Sequence, residues 1–354
     1  MVRDESQRAP RSCMAGAALA IAMIGCGGGG GHNPMVDAAI DTPPPPPWWQ
    51  PKVGEAKNWD IQLSAAAGAV DVTTPRLMYD LDLWALVPSA TTINYDDGSS
   101  VNVPAGALAG TIAMLHARTP STIVICHVDT GLLDLKLPDA KKFPGYMADA
   151  TKIPDNPDAP APGTVTGAPA QGSAIGWSLG VATQRMLDIR QASRTAWTPI
   201  MFKRFDLAKQ IGCDGVEPSH NDIAVYSSGF LAGAVDSFSW YTEVATQGHM
   251  RKLSTGMKNG DTVPSQPDME ADKFDWMMVE RCGEFDSCDA VRPFINLGKP
   301  VFAIDYNVTS PDENGMTMAQ GSTLVCMHQG LAMIADGLYK DVALSKAVRT
   351  PCEP

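Results

Sequence analysis

The sequence lacks several things that would have assigned it to a common class. Lys and Arg number 27 against 39 Asp and Glu, a formal net charge of −12. No Lys/Arg-rich stretch stands out, so nucleic acid is not an expected partner. There is no CxxC and no HxxxH, and only six histidines occur in the whole chain. Zinc is therefore disfavoured, and no metal or cofactor is expected. No GxGxxG follows the early strand-like runs to mark a dinucleotide site. Apolar runs are short. The longest near the N-terminus, Met14 to Ile24, is too short to span a bilayer as a helix.

What is present fits one large core. The chain has 354 residues, 44% hydrophobic and 19% charged, which is ordinary globular composition and enough for one barrel-sized domain. Residues 1–25 read as an export signal, because Arg3, Arg8 and Arg11 precede the apolar stretch. That stretch ends Met23-Ile24-Gly25-Cys26 before a glycine run, which resembles a bacterial lipoprotein signal. Cys26 would then carry the lipid, and the membrane would be touched through that lipid only. Met23 stands where such signals usually have Leu, so ordinary cleavage and plain secretion is the alternative. Both readings place the protein outside the cytoplasm, in the first case in the cell envelope, facing the periplasm or on the surface.

Residues 26–47 hold a five-glycine and a five-proline run and form a tether that cannot bury a core. Residues 48–354 form the folded domain. Of the eight cysteines, Cys13 leaves with the signal and Cys26 goes to lipid, and the remaining six are an even set in an oxidising compartment. Cys282 with Cys288 is the best local pair and Cys326 with Cys352 the next. Cys126 and Cys213 remain by elimination.

Along the domain, short β-type runs alternate with amphipathic stretches such as Pro199 to Ile211 and Ala234 to Gln247, the pattern of parallel βαβ units. Eight candidate strands occur, at 59–63, 77–83, 122–129, 186–189, 215–217, 253–259, 276–280 and 301–306. They suggest a closed (β/α)8 TIM barrel, with an open doubly wound sheet as the structural alternative. Pro88 to Pro104 reads as a surface hairpin. Pro144 to Gly176, rich in Pro, Ala and Gly, is a long loop, either a lid over the barrel mouth or an insertion without function.

Polar residues recur where these runs end. Ile125, His127 and Asp129 share one face by the two-residue period, and Asp80 and Asp82 repeat the pattern. Glu217, Lys258 with Asn259, Glu280, and Asp305 with Tyr306 close four later runs. In a barrel these ends converge on the face where active sites lie. One acidic residue after a strand is usually a helix cap or a solvated charge, but six strands doing so together point to a site.

The runs Trp59 to Leu63, Tyr79 to Leu83, Val124 to His127, Leu187 to Arg190, Arg204 to Ala208, Gly212 to Pro218, Met257 to Asn259, Glu280 to Cys282 and Gly298 to Phe302 together resemble glycoside hydrolase family 114. These are the endo-α-1,4-polygalactosaminidase-like proteins. The resemblance implies a (β/α)8 barrel that hydrolyses an amino-sugar polymer with acidic residues at the ends of the fifth and seventh strands. Such hydrolysis uses two carboxyl groups across the scissile bond. Glu280 is one candidate, with a structural salt bridge to Arg281 as its plain alternative.

The second carboxyl is where the chain departs. The family typically reads Glu-Pro-Asp-Asn-x-Asp, whereas this chain reads Glu217-Pro218-Ser219-His220-Asn221-Asp222. Ser219 stands at the Asp, and a hydroxyl does not replace a carboxyl as acid or base. Glu217 and Asp222 are the remaining candidates. Asp305-Tyr306 and His127-Val128-Asp129 also depart from the usual pattern. A nucleophile-and-base reading of Ser219-His220 lacks a GxSxG elbow.

Asp82, His127, Asp129, Asp188, Ser219, His220, Lys258, Asn259, Asp305 and Tyr306 are the expected sugar-contacting residues, with Trp59 and Tyr306 as stacking platforms. The expected partner is an amino-sugar polysaccharide. The alternative is a catalytically impaired carbohydrate-binding lipoprotein on the same barrel.

Overall fold

Period-two alternation along short, fully buried strands shapes this molecule. The computed structural model describes residues 46–54, 58–147, 169, 171–178, 183–263, 265–307 and 321–352. The expected export signal, Cys26, nearly all of the expected tether and the centre of the expected lid loop lie outside the described residues.

The strands are β1 (Trp59–Gln62), β2 (Met78–Asp82), β3 (Thr91–Asn94), β4 (Ser100–Val103), β5 (Ile123–Asp129), β6 (Leu132–Asp134) and β7 (Ile175–Ser178). They continue with β8 (Gln184–Leu187), β9 (Gly215–Ser219), β10 (Ser254–Lys258), β11 (Trp276–Glu280), β12 (Val301–Tyr306), β13 (Asp336–Lys340) and β14 (Arg349–Cys352). Eight of them pair in parallel in the order β1-β2-β5-β9-β10-β11-β12-β13, and β14 runs antiparallel on β13. Helices join most of these strands, so the fold is a (β/α)8 barrel.

Inward residues fill the centre. Trp59, Ile61, Met78, Ile125, Trp276, Met278, Phe302, Ile304 and Leu338 form one buried cluster. Their outward neighbours Tyr79, Leu81, Val124, Val216, Met257, Met277, Val279 and Ala303 belong to the two clusters under the helices. Gly256 makes this filling possible, because a Cβ there would lie 2.2 Å from the Trp276 ring. The seam between β1 and β13 is bridged by side chains: Lys340 Nζ to Asp60 Oδ1 at 2.8 Å and Trp59 Nε1 to the Asp336 carbonyl at 3.0 Å.

Helices form where the apolar spacing predicts them, over Thr198–Ile211 and Ala234–Met250. The first has Pro199 in its opening turn and ends on Gly212 at φ 100°, a left-handed cap that glycine adopts without penalty. The hairpin of β3 and β4 lies within the expected Pro88 to Pro104 segment.

Two strand assignments need correction. Met186 to Ile189 does not supply a barrel strand, because β8 pairs antiparallel with β6 and β7 in a separate three-stranded sheet within the β5–β9 connection. The eighth barrel strand is instead β13, whose Asp-Gly-Leu-Tyr-Lys sequence has one large aliphatic residue and no alternation to announce it. Glu217 therefore lies within the fourth barrel strand, which Ser219 ends, and Glu280 ends the sixth, not the fifth and seventh.

All three expected disulfides are present: Cys126–Cys213, Cys282–Cys288 and Cys326–Cys352. The first joins β5 to the turn before β9 across 87 residues. A loop of that length gives the crosslink a large entropic effect on the unfolded chain, about 4 to 5 kcal/mol. Replacing both cysteines by serine should lower stability by about that amount, read from urea unfolding followed by tryptophan fluorescence. A change below about 1 kcal/mol would show that the bond restrains little.

Candidate active site

Three consecutive barrel strands end in the same way. The residue after β9 is His220 at φ 54°, after β10 Asn259 at φ 48°, and after β11 Arg281 at φ 64°. Left-handed backbone is uncommon for such residues, costs on the order of 1 kcal/mol, and is tolerated where packing fixes it, often at functional sites. Each turn sends the chain sharply off its strand and leaves the last inward side chain, Ser219, Lys258 or Glu280, at the barrel mouth.

Lys258 is the centre of the site. Its ammonium is buried, 3.3 Å from Glu217 Oε1 and 3.4 Å from Glu280 Oε2. Burial disfavours its charge, but Glu217, Glu280 and Asp80 outweigh that and hold its pKa above the ordinary lysine value. Glu280, 24% exposed, also accepts from Asn259 Nδ2 at 3.0 Å and from the Tyr306 hydroxyl. Burial opposes its ionisation, yet Lys258, Tyr306 and Asn259 together pull its pKa down to about 2. Glu280 is an ionised carboxylate at neutral pH.

A second network lies beside it. His127 Nδ1 contacts Glu217 Oε2, its Nε2 lies 3.4 Å from Asp129 Oδ1, and His220 Nδ1 lies 2.6 Å from that same oxygen. Burial disfavours the His127 imidazolium, but Glu217 and Asp129 raise its pKa well above the ordinary value. Burial likewise disfavours the Asp129 carboxylate, and His220 and His127 reverse this, holding it well below the usual range.

Asp80, fully buried, has no hydrogen bond to either carboxyl oxygen. Burial and the nearby Glu217 charge push its pKa well above the usual carboxylate range, which favours the neutral acid. Asp80, His127 and Glu217 bring ligand atoms within 4.8 Å of one another, a spacing that a divalent cation could bridge. The charge of this cluster is already met by Lys258 and His127, and a second cation would face the ammonium beside Glu217.

Asp222 and Asp261 complete the mouth. Burial raises the carboxyl of Asp222, and burial raises that of Asp261 to about 6, with Asp222 and Glu280 adding repulsion.

The structure thus gathers Glu280, Glu217, Asp222, Asp82, His127, Asp129, Ser219, His220, Lys258, Asn259 and Tyr306 at one end of the barrel. Asp82 spends one oxygen on Ala85 N at 2.8 Å as a helix cap. Several sequence expectations are corrected. Glu217 is fully enclosed between His127 and Lys258, which leaves it no face for a substrate and makes it a charge partner at the floor of the site.

Asp305 points outward, since its neighbour Tyr306 points in. Its carboxylate accepts from Gly283 N, Glu284 N and Gln329 Nε2 and so clamps the loop after Glu280. Trp59 is fully buried in the barrel centre and bonded to the Asp336 carbonyl, so it offers no ring to a sugar. Asp188 pairs with Arg190 at 2.7 Å beside β8. It lines a separate cavity of about 530 Å³ with Phe230 and Leu231, to which Glu280, Lys258 and His220 do not contribute.

Sequence reasoning missed Asp261, which sits three residues beyond a strand end after a tight Asn-Gly turn. It passed over Asp80 as a site residue, although the two-residue period from Asp82 marked it.

Comparison with known proteins agrees with this architecture. The profile of glycoside-hydrolase family GH114 matches residues 39–351. A solved structure of Aspergillus fumigatus Ega3 in complex with galactosamine is similar at 25% identity, covering 84% of this chain and 95% of that one, with a TM-score of 0.58. A structure of morphinone reductase in complex with tetrahydroNAD is 11% identical over 74% of this chain and 80% of that one. Its TM-score of 0.36 is too low to carry an argument. A search of curated proteins found no match.

The ion pairs make a test available. Because Glu280 is held at about 2, its contribution to stability is complete above its ordinary pKa and is lost as pH falls through about 2. Lys258→Met should cost about 3 to 5 kcal/mol by leaving buried carboxylates unpaired, and it should move the acid loss of stability to higher pH. Urea midpoints measured across the acid range check this. An unchanged acid limb would mean that Lys258 does not hold the Glu280 carboxylate.

Proposed function

The chain belongs to glycoside-hydrolase family GH114, and from that premise we propose that it hydrolyses an α-1,4-linked galactosamine-containing polysaccharide at the barrel mouth. The observation that carries this is Glu280. It is an ionised carboxylate, partly exposed, and oriented by three donors at a strand end. Glycoside hydrolysis needs such a group to attack the anomeric carbon or to take a proton from the attacking water. It also needs a proton donor for the leaving oxygen. In the two-carboxylate form of the mechanism, Asp222 is that donor, since burial raises its carboxyl and Glu217 is enclosed.

Galactosamine as the sugar is supported by the ligand of the Aspergillus fumigatus Ega3 structure and by the ionised Asp129 and Glu280 in the cleft. These suit a polymer with free ammonium groups. The signal and tether read in residues 1–47 accord with action outside the cytoplasm.

A second reading, a carbohydrate-binding protein without turnover, rests on Ser219 at the place of the family's Asp. Incubation with de-N-acetylated galactosamine polysaccharide separates the two. The wild type should release reducing ends, and Glu280→Gln should lose turnover by ~10³-fold or more while still binding the polymer. Binding without turnover by the folded wild type would favour the second reading. Equal use of an N-acetylated polymer would remove the role of the ammonium groups.

A further inference from the structure

We infer that His220, held by Asp129, donates the proton to the leaving glycosidic oxygen. This rests on the glycosidase reading and changes only the identity of its proton donor.

The argument begins with the sheet register. Ser219 ends β9, and directly beside it on β5 stands Asp129. A carboxylate therefore remains at this level of the mouth, one strand over from the serine. Asp129 is unsuited to donate a proton itself, because it lies between two imidazole rings that hold it ionised. Its proton-bearing partner at the mouth is His220.

The turn that carries His220 is held from several sides. The Ser219 carbonyl accepts from Thr130 N at 3.0 Å and Gly131 N at 3.2 Å. Asn221 Oδ1 accepts from Thr130 Oγ1 at 2.6 Å and Trp240 Nε1 at 2.7 Å, and its Nδ2 donates to the Pro218 carbonyl at 2.8 Å. A Cβ on Gly131 would sit 1.6 Å from the His220 carbonyl oxygen, so the two backbones pack directly against each other. Asp129 is anchored in turn. Arg204, paired with Asp139 through contacts of 2.8 and 2.9 Å, donates to the Asp129 carbonyl at 3.1 Å.

This framework fixes the ring. Nδ1 faces Asp129 at 2.6 Å, which leaves Nε2 for a substrate, and the side chain is 37% exposed. Asp222, by contrast, is 5% exposed. The groups that act on His220 are Asp129 and His127 from β5 and Asp222 on its own loop, and its charge is felt by Glu280 on β11. Burial disfavours the imidazolium, but Asp129 and then Asp222 outweigh burial and His127, and the pKa lies above the ordinary histidine value. A protonated imidazole oriented by a carboxylate thus shares the mouth with an ionised glutamate, the pairing of acid and base that the reaction needs.

The step balances with one water. As the C1–O bond breaks, its electron pair leaves with the glycosidic oxygen, which takes the Nε2 proton. The water supplies the new hydroxyl on C1. Its other proton goes to Glu280 if water attacks directly, or to the neutral imidazole if Glu280 first forms a bond to C1.

The test compares two substrates in the full chain. One is de-N-acetylated galactosamine polysaccharide, and the other is a galactosaminide carrying a dinitrophenyl leaving group that needs no proton. His220→Asn is the variant of choice, because asparagine accepts the left-handed backbone at this position. It should lose polymer turnover by about 10² to 10⁴-fold and keep the cleavage rate of the activated substrate to within about tenfold. The fall in wild-type kcat/KM for the polymer on the alkaline side should be absent when the variant cleaves the activated substrate. His220→Gln provides a second variant.

Near wild-type polymer turnover by both variants, or equal losses on both substrates, would overturn the inference. If Asp222→Asn alone shows the dependence on leaving group, Asp222 is the donor and the glycosidase reading stands. Failure of the wild type on both substrates would overturn that reading itself.

Discussion

One buried ammonium organises the upper half of the barrel. Lys258 reaches carboxylates from the strands on either side of its own, and it also feels Asp80 from β2. Charges of this kind are costly to take out of water, and the cost is met only when every partner is in place. The arrangement therefore fixes more than its own geometry. It holds Glu280 ionised, while burial and the nearby Glu217 charge push the Asp80 carboxyl above the usual carboxylate range. The His127 contact closes Glu217 on its other side, so the floor of the mouth is neutralised before any sugar arrives.

The order of residues made much of this readable. Seven of the barrel strands lie where β-type runs occur, six of these ending in polar residues, and the two-residue period along β5 correctly placed His127 and Asp129 above Ile125. The same period also explains the errors. Asp305 and Tyr306 are neighbours, so only one of them can face inward, and the aromatic ring takes that place. Trp59 looked like a sugar platform because tryptophan at a strand suggests stacking, but it begins its strand, at the end of the barrel away from the mouth. Met186 to Ile189 is apolar enough for a barrel strand, and nothing local distinguishes it from an edge of a small antiparallel sheet. In β13 the strand is dictated by its neighbours rather than by its own composition, which is why Asp-Gly-Leu-Tyr-Lys passed unnoticed.

The residues at the ends of β5 and β9 form one charge-matched group. Ser219 ends β9 without a charge, and Asp129 stands directly beside it on β5. His220 and His127 flank the Asp129 carboxylate. The left-handed turns after β9, β10 and β11 give these mouth residues a common backbone frame.

The bridge between Asp60 and Lys340 spans 280 positions of the chain. Nearly the whole domain must be synthesised before this contact can form, and until then β1 has one edge without its partner. Contacts between such distant positions slow the search for the native topology. Closure of the barrel therefore depends on its last parallel strand. A chain ending just before residue 336 would lack β13 and keep two unprotected sheet edges, a form prone to pair with its own kind.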